Sequence, residues 1–454
     1  MFFKLLKTDN SNITRRIVSG SFWVLVGTIV SKIMVFVATI IVARILSKEV
    51  YGQLGIIRST IQLFVGLTAF GIGATATKHI AQYRISNPHM AVRIYCIANI
   101  FVFLMGLIAC IILISAAGII ANHKLNAPEL AVDIRIAGII LFFTLINGAQ
   151  TGTLSGFEDF KRIATTNLIM GCSEIILLCI GAKFFGLVGA ILGFGFTYFI
   201  AWCYNTFYIR KHICSLGVSV IETIKTLRFS DFKVIYSFSL PIAISSWITM
   251  GAYWWVKTWV VQHAGFENMA NYDVAEQWKS QLLFIPGIVA NVLLPILSSS
   301  MNNKQERKIA IKINLMINLF VTGILFFGIC IFGHKILSLY GGGYTNLTPL
   351  YILAFAAIID SVSNLCGTIV ISSGQAYRVF TYNVIWAVVI ISAYLYFAKS
   401  AQQPENSLAF AYLIASIVQT MFMGTFVIRN LKRGNYVYCL LYTSPSPRDS
   451  TSSR

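Results

Sequence analysis

The chain is 454 residues long, 57% hydrophobic and only 11% charged, with a formal net charge of +19. This composition excludes an ordinary soluble domain and indicates an integral membrane protein. In a soluble protein the positive charge would point to nucleic acid; here it flanks apolar runs and reads as a topology signal, so no nucleic-acid partner is expected.

Basic residues within 1–16 precede an apolar run over 17–42. That run is too long for the core of a cleaved signal peptide and reads as a retained first span. The polar turn ARILSKEVYG leads into a second span reaching Lys78, with Arg44, Tyr51 and Arg58 in succession at intervals of about two helical turns. Apolar runs at 91–120, 133–156, 162–185 and 187–209 bring the first half to about six spans. The basic segment 210–234 reads as a cytoplasmic linker, partly amphipathic on the membrane surface, because Ile221, Ile224 and Leu227 recur at helical spacing among Glu222, Lys225 and Arg228.

The layout then repeats at 235–262, 272–299, 309–333, 346–373, 378–398 and 407–430, giving about twelve spans. Lys and Arg concentrate in the connections on the side of the N-terminus, among them Lys78, Arg84, Arg93, Lys161 and Arg162. The positive-inside rule therefore places both termini in the cytoplasm. Residues 435–454 turn abruptly to Ser, Pro and Arg, a composition that predicts disorder. They resemble translated adaptor sequence and are set aside.

Two echoes indicate a tandem repeat. Tyr51 precedes Arg58 by the interval that separates Tyr272 from Lys279, and Ser155-Gly156-Phe157 with Thr165 and Asn167 is answered by Ser373-Gly374-Gln375 with Thr381 and Asn383. An even number of spans per copy gives both copies one orientation. The expected fold is all-α: a polytopic membrane protein of about twelve transmembrane helices in two pseudo-symmetric six-helix lobes, 1–209 and 235–434, around a central cavity. Pro241, Pro286 and Pro295 mark bends in the second half. Gly186, Gly189, Gly193 and Gly195 suggest close helix packing.

Ala43-Arg44-Ile45-Leu46 through Tyr51-Gly52, the Phe70-Gly71 turn with Lys78 after it, and Leu154-Ser155-Gly156-Phe157-Glu158-Asp159-Phe160-Lys161 resemble the polysaccharide-transporter branch of the multidrug/oligosaccharidyl-lipid/polysaccharide exporter superfamily. Its best-known members are flippases for O-antigen and related lipid-linked oligosaccharides. The resemblance covers 15 to about 433 and implies a V-shaped, two-lobed bundle working by alternating access. It implies roles for Arg44 and Arg58; Lys279 is matched through the internal repeat alone.

The residues support that reading by themselves. A charged side chain at bilayer depth costs about 2.5–3.5 kcal/mol on insertion scales, so one kept there should meet water, a counter-ion or an anionic ligand. Lys32, Arg58, Lys279 and Lys257 fall within spans and Arg44 at a span end, against the carboxylates Glu174 and Asp360. By this balance bases outnumber acids, and a net-positive cavity suits a polyprenyl-diphosphate-linked oligosaccharide. Asp360 and Glu174 are open to either ion coupling or counter-charge. Trp254 and Trp255 are open to either sugar stacking or anchoring at the interface, and Arg44 also fits a snorkelling anchor.

The expectation is a transporter in a bacterial inner membrane, with the bilayer, the lipid-linked oligosaccharide and a polysaccharide polymerase complex as partners. An ion-coupled multidrug exporter of the same superfamily is the alternative, and would be expected to show acidic rather than basic cavity residues. A membrane glycosyltransferase or polymerase would need a sizeable outer loop, whereas the outer connections at 121–132, 263–271 and 334–345 are short. No Walker-type phosphate loop occurs. The scattered Cys show no Cys-x-x-Cys pair, so no metal, disulfide framework or cofactor is expected.

Overall fold

The computed structural model describes residues 11–68, 71–228, 233–289, 304–372, 375–399 and 403–433. Regular structure among them is helical throughout: α1 Ser11–Ile45, α2 Lys48–Thr68, α3 Ile72–Tyr83, α4 Pro88–Ile119, α5 Ala131–Gly156, α6 Phe160–Ser215, α7 Val220–Lys225, α8 Lys233–Leu282, α9 Lys304–Ser338, α10 Thr348–Ser372, α11 Ala376–Ala398 and α12 Pro404–Arg433. Short π and 3-10 turns, Ile120–Lys124 and Pro128–Leu130, join α4 to α5. Among the described residues seven helices are long and apolar enough to cross a membrane, or eight if the bent pair α2 and α3 is one span. The all-α, polytopic membrane character expected from composition is therefore present. Residues 434–454 and Pro295 lie outside the described residues.

The second expected span is interrupted, since α2 ends at Thr68 and α3 restarts at Ile72. Gly71 stands before α3 with φ 63°, a left-handed conformation that glycine adopts without the usual steric cost.

The runs read as two spans at 162–185 and 187–209 form one 56-residue helix, α6, with a non-helical turn at Gly186 (φ 59°, ψ −134°). A straight helix of that length would extend about 84 Å against a hydrocarbon core of about 30 Å. Instead it reverses: a Cβ on Gly181 would overlap the carbonyl of Gly189, and one on Gly193 would overlap that of Leu177, so the two legs lie antiparallel. Gly189, Gly193 and Gly195 thus serve close packing as expected. Gly186 does not, because the space around it is open and its backbone angles alone call for glycine. The 50-residue α8 repeats the device at Gly265 (φ 79°, ψ 175°), in place of the longer connection expected at 263–271. Its end at Leu282 is set by Pro286, whose ring lacks an N–H and crowds the carbonyl four residues earlier.

The chain divides into two compact units, one holding 1–250 with 261–270, the other 251–260 with 271–454. In the first, α1 packs along the opening leg of α6, with Gly27 against Ala164 and Gly171 against Ser31. The remaining packing runs α6 on α5, α5 on α4, and α3 on both. α7 lies against α4, held by Arg93 Nη2 donating to the Thr226 carbonyl at 3.2 Å. The amphipathic reading of 210–234 is met unevenly: residues to Ser215 complete α6, Ile221 and Ile224 are exposed, and Leu227 packs on a core of Val92, Leu154 and Ile209. In the second unit α10, α11 and α12 pack on one another and α9 lies against α10.

Candidate functional site

In the first unit the reversal of α6 creates a recess for a cation. Arg58, on α2, donates from Nη2 to Glu174 Oε1 at 3.3 Å, while its guanidinium lies 4.9 Å from the ring centre of Phe194. Glu174 belongs to the first leg and Phe194 to the second, so one side chain reads both. Glu174 is buried, and the charge of Lys32 on α1 also acts on it. Lys32 itself is exposed, one residue beyond the Ser31 that abuts Gly171. Three of the residues singled out from sequence are therefore neighbours.

In the second unit the two legs of α8 on either side of the Gly265 turn, 251–260 and 271–282, lie together. Lys257, 3% exposed, donates to Asp273 Oδ1 at 3.2 Å and to Glu276 Oε2. Tyr253 Oη donates to Glu276 Oε1 at 2.8 Å and lies 2.8 Å from the Tyr272 hydroxyl. Lys279, one turn beyond Glu276, is 7% exposed and sits 3.6 Å from the ring centre of Tyr412 on α12, close enough for a cation–π contact. Tyr412 donates to Asp360 Oδ2 on α10 at 2.8 Å. The Tyr412 ring meets those of Tyr253 at 5.7 Å and Trp386 at 5.7 Å, so Lys279 is roofed by aromatic faces.

This cluster corrects the charge balance read from sequence. Asp273 and Glu276 were not counted, and beside Lys257 and Lys279 stand the three carboxylates Asp273, Glu276 and Asp360. A signal for them existed: Tyr272, Glu276 and Lys279 follow at i, i+4 and i+7 and must share a helix face. The first copy has no such acid, since Gly55 stands where Glu276 would fall between Tyr51 and Arg58. Tyr412 and Trp386 are remote in sequence and gave no signal.

The remaining candidates are not drawn into either cluster. Arg44 is exposed in the last turn of α1, where a cation complements the helix dipole. Trp255 stacks on Trp259 at 5.9 Å, and Trp254 is half-buried.

The family model for polysaccharide biosynthesis proteins matches residues 17–301. The "Putative O-antigen transporter" of Shigella flexneri is 21% identical over 338 residues, 72% of this chain and 78% of that protein. Among solved structures, an inward-facing multidrug resistance MATE family transporter of the MOP superfamily superposes with a TM-score of 0.77 at 15% identity, covering 88% of this chain and 96% of that one. A MOP superfamily transporter from Pyrococcus furiosus, described for the reverse polarity of its binding pocket, gives 0.69 at 15% identity, covering 92% and 96%.

Proposed function

Since the chain belongs to the polysaccharide biosynthesis protein family and carries the fold of the MOP-superfamily transporters, we propose that it is a flippase. Its cargo in this reading is a polyprenyl-diphosphate-linked oligosaccharide, moved by alternating access for synthesis of a surface polysaccharide such as O-antigen. About twelve spans in two six-helix repeats, 1–209 and 235–434 joined by the basic segment 210–234, with both termini cytoplasmic, complete the proposal.

One observation carries it. Lys279 is buried against an aromatic face, and no carboxylate among the described residues forms an ion pair with it. A cation kept in that setting suits a diphosphate; in the other repeat Lys32 and Arg58 add positive charge, Arg58 sharing its guanidinium with Glu174. Lys257 is engaged by two carboxylates, so its part is to hold the site rather than to meet cargo. Asp360, Glu276 and Glu174 are the candidates for carrying a coupling ion.

The three carboxylates also favour a second reading, an ion-coupled exporter of small molecules. The two part in a strain lacking its own flippase. The wild-type chain should restore surface polysaccharide, and a Lys32→Glu/Arg58→Glu/Lys279→Glu variant that still inserts should leave lipid-linked oligosaccharide on the inner leaflet. Normal polysaccharide from that variant sinks the cationic role, and drug resistance without polysaccharide selects the exporter.

A further inference from the structure

Lys279 occupies a place that a free organic cation would fit. Its Nζ lies 3.6 Å from the ring centre of Tyr412 and 5.9 Å from that of Tyr253. Trp386 closes the group, its ring meeting those of Tyr412 at 5.7 Å and Tyr253 at 6.2 Å. The ammonium forms no hydrogen bond and no ion pair among the described residues, so ring faces are what it touches. Aromatic faces gathered about one ammonium are the arrangement by which cages hold alkylammonium and quaternary ammonium ligands.

The surroundings favour positive charge beyond the rings themselves. Tyr412 donates to Asp360 Oδ2 and Tyr253 to Glu276 Oε1, both at 2.8 Å. A phenol that donates to a carboxylate carries more electron density in its ring, which strengthens its hold on a cation. The charges of Asp360 and Glu276 also act on the Lys279 ammonium. Without that ammonium the cluster sets Lys257 alone against Asp273, Glu276 and Asp360, an acidic pocket faced by aromatic rings.

We propose that Lys279 is a specificity-determining residue: a tethered ammonium that fills a cage otherwise suited to organic cations and so turns free alkylammonium compounds away from the second unit. Replacing the lysine by a small residue converts the pocket into a site for such a cation. The inference concerns what the pocket excludes, and it stands whether or not the cargo is a diphosphate.

The side-chain atoms removed by Lys279→Ala are those of propylammonium, which makes that ion the probe. Full-length wild type and variant are purified in detergent and titrated with propylammonium chloride while thermal unfolding is followed, with propan-1-ol as the uncharged isostere and NaCl at matched ionic strength. Lys279→Ala should show a saturable rise in Tm with half-saturation on the order of 1 mM. Neither propan-1-ol nor NaCl should reproduce it, and wild type, its cage filled, should not respond. Lys279→Ala/Tyr412→Leu, which also lacks the closest ring, should bind propylammonium about tenfold more weakly. If Lys279→Ala is recovered in low yield, solubilising its membranes with propylammonium present should raise the yield of folded protein, and propan-1-ol should not. Overturning results are a Lys279→Ala variant that propylammonium affects in neither Tm nor yield, an equal response in wild type, an equal response to propan-1-ol or NaCl, or undiminished binding in the double variant.

Discussion

The Lys279 ammonium lies over the ring of Tyr412 at 3.6 Å, and the hydroxyl of that same ring donates to Asp360. A lysine on α8 and an aspartate on α10 are thus joined through one aromatic side chain of α12. The tyrosine ring stands between the two charges, and no direct ion pair between Lys279 and Asp360 forms.

Removing the two functions of Tyr412 separately should show which matters. Tyr412→Phe keeps the ring and deletes the donor to Asp360, at a cost of about 1 kcal/mol. Tyr412→Leu also removes the cation–π contact, worth about 2 kcal/mol or more when desolvated. Thermal unfolding of the two variants in detergent checks the order; a Phe variant as damaged as the Leu variant would show that the hydroxyl alone counts.

Lys257 should be the least replaceable charge in the second unit. Lys257→Met leaves Asp273 and Glu276 facing each other without their shared cation, an uncompensated burial of about 3–5 kcal/mol. Glu276→Gln leaves Lys257 its bond to Asp273 and should cost less. The yield of folded protein and its unfolding midpoint should follow that order, with the double variant recovering part of the loss.

Two glycines of α6 should fail for different reasons. Gly186→Ala meets open space but must hold φ 59°, and should destabilise by about 1–3 kcal/mol through backbone strain. Gly189→Ala would press on the Gly181 carbonyl and cost about 1–3 kcal/mol through overpacking. Replacing Gly181 as well should deepen the second loss while leaving the first unaffected.

A pH dependence is expected at the turn before α6. Burial pushes the Asp159 carboxyl up, but hydrogen bonds from His212 at 2.7 Å and from the Arg162 backbone N–H, with the nearby charges, outweigh it and hold the carboxyl below its ordinary 3.8. A depressed carboxyl contributes stability that is complete above the unfolded value and fades as pH falls through the folded one. Asp159→Asn keeps a good N-cap and removes only the charge. The stability difference between wild type and this variant should shrink as pH falls below 3.8; a difference that grows there would reverse the sign assigned here.

The membrane class and the position of most helices were legible in the sequence. Hydrophobic length and the cost of burying charge in lipid act on the chain locally, one span at a time. The break between 162–185 and 187–209 was legible for the same reason, although the sequence did not show that Gly186 serves as a reversal rather than a packing contact. The partner of each charge was not. Glu174 is remote from Arg58, and Tyr412 and Asp360 are remote from Lys279, so only the antiparallel return of α6 and α8 and the packing of α10 and α12 settle which cation meets a carboxylate and which meets a ring. Periodicity reports which residues share a face of one helix. What that face meets is a property of the folded bundle, and here it decided the charge balance.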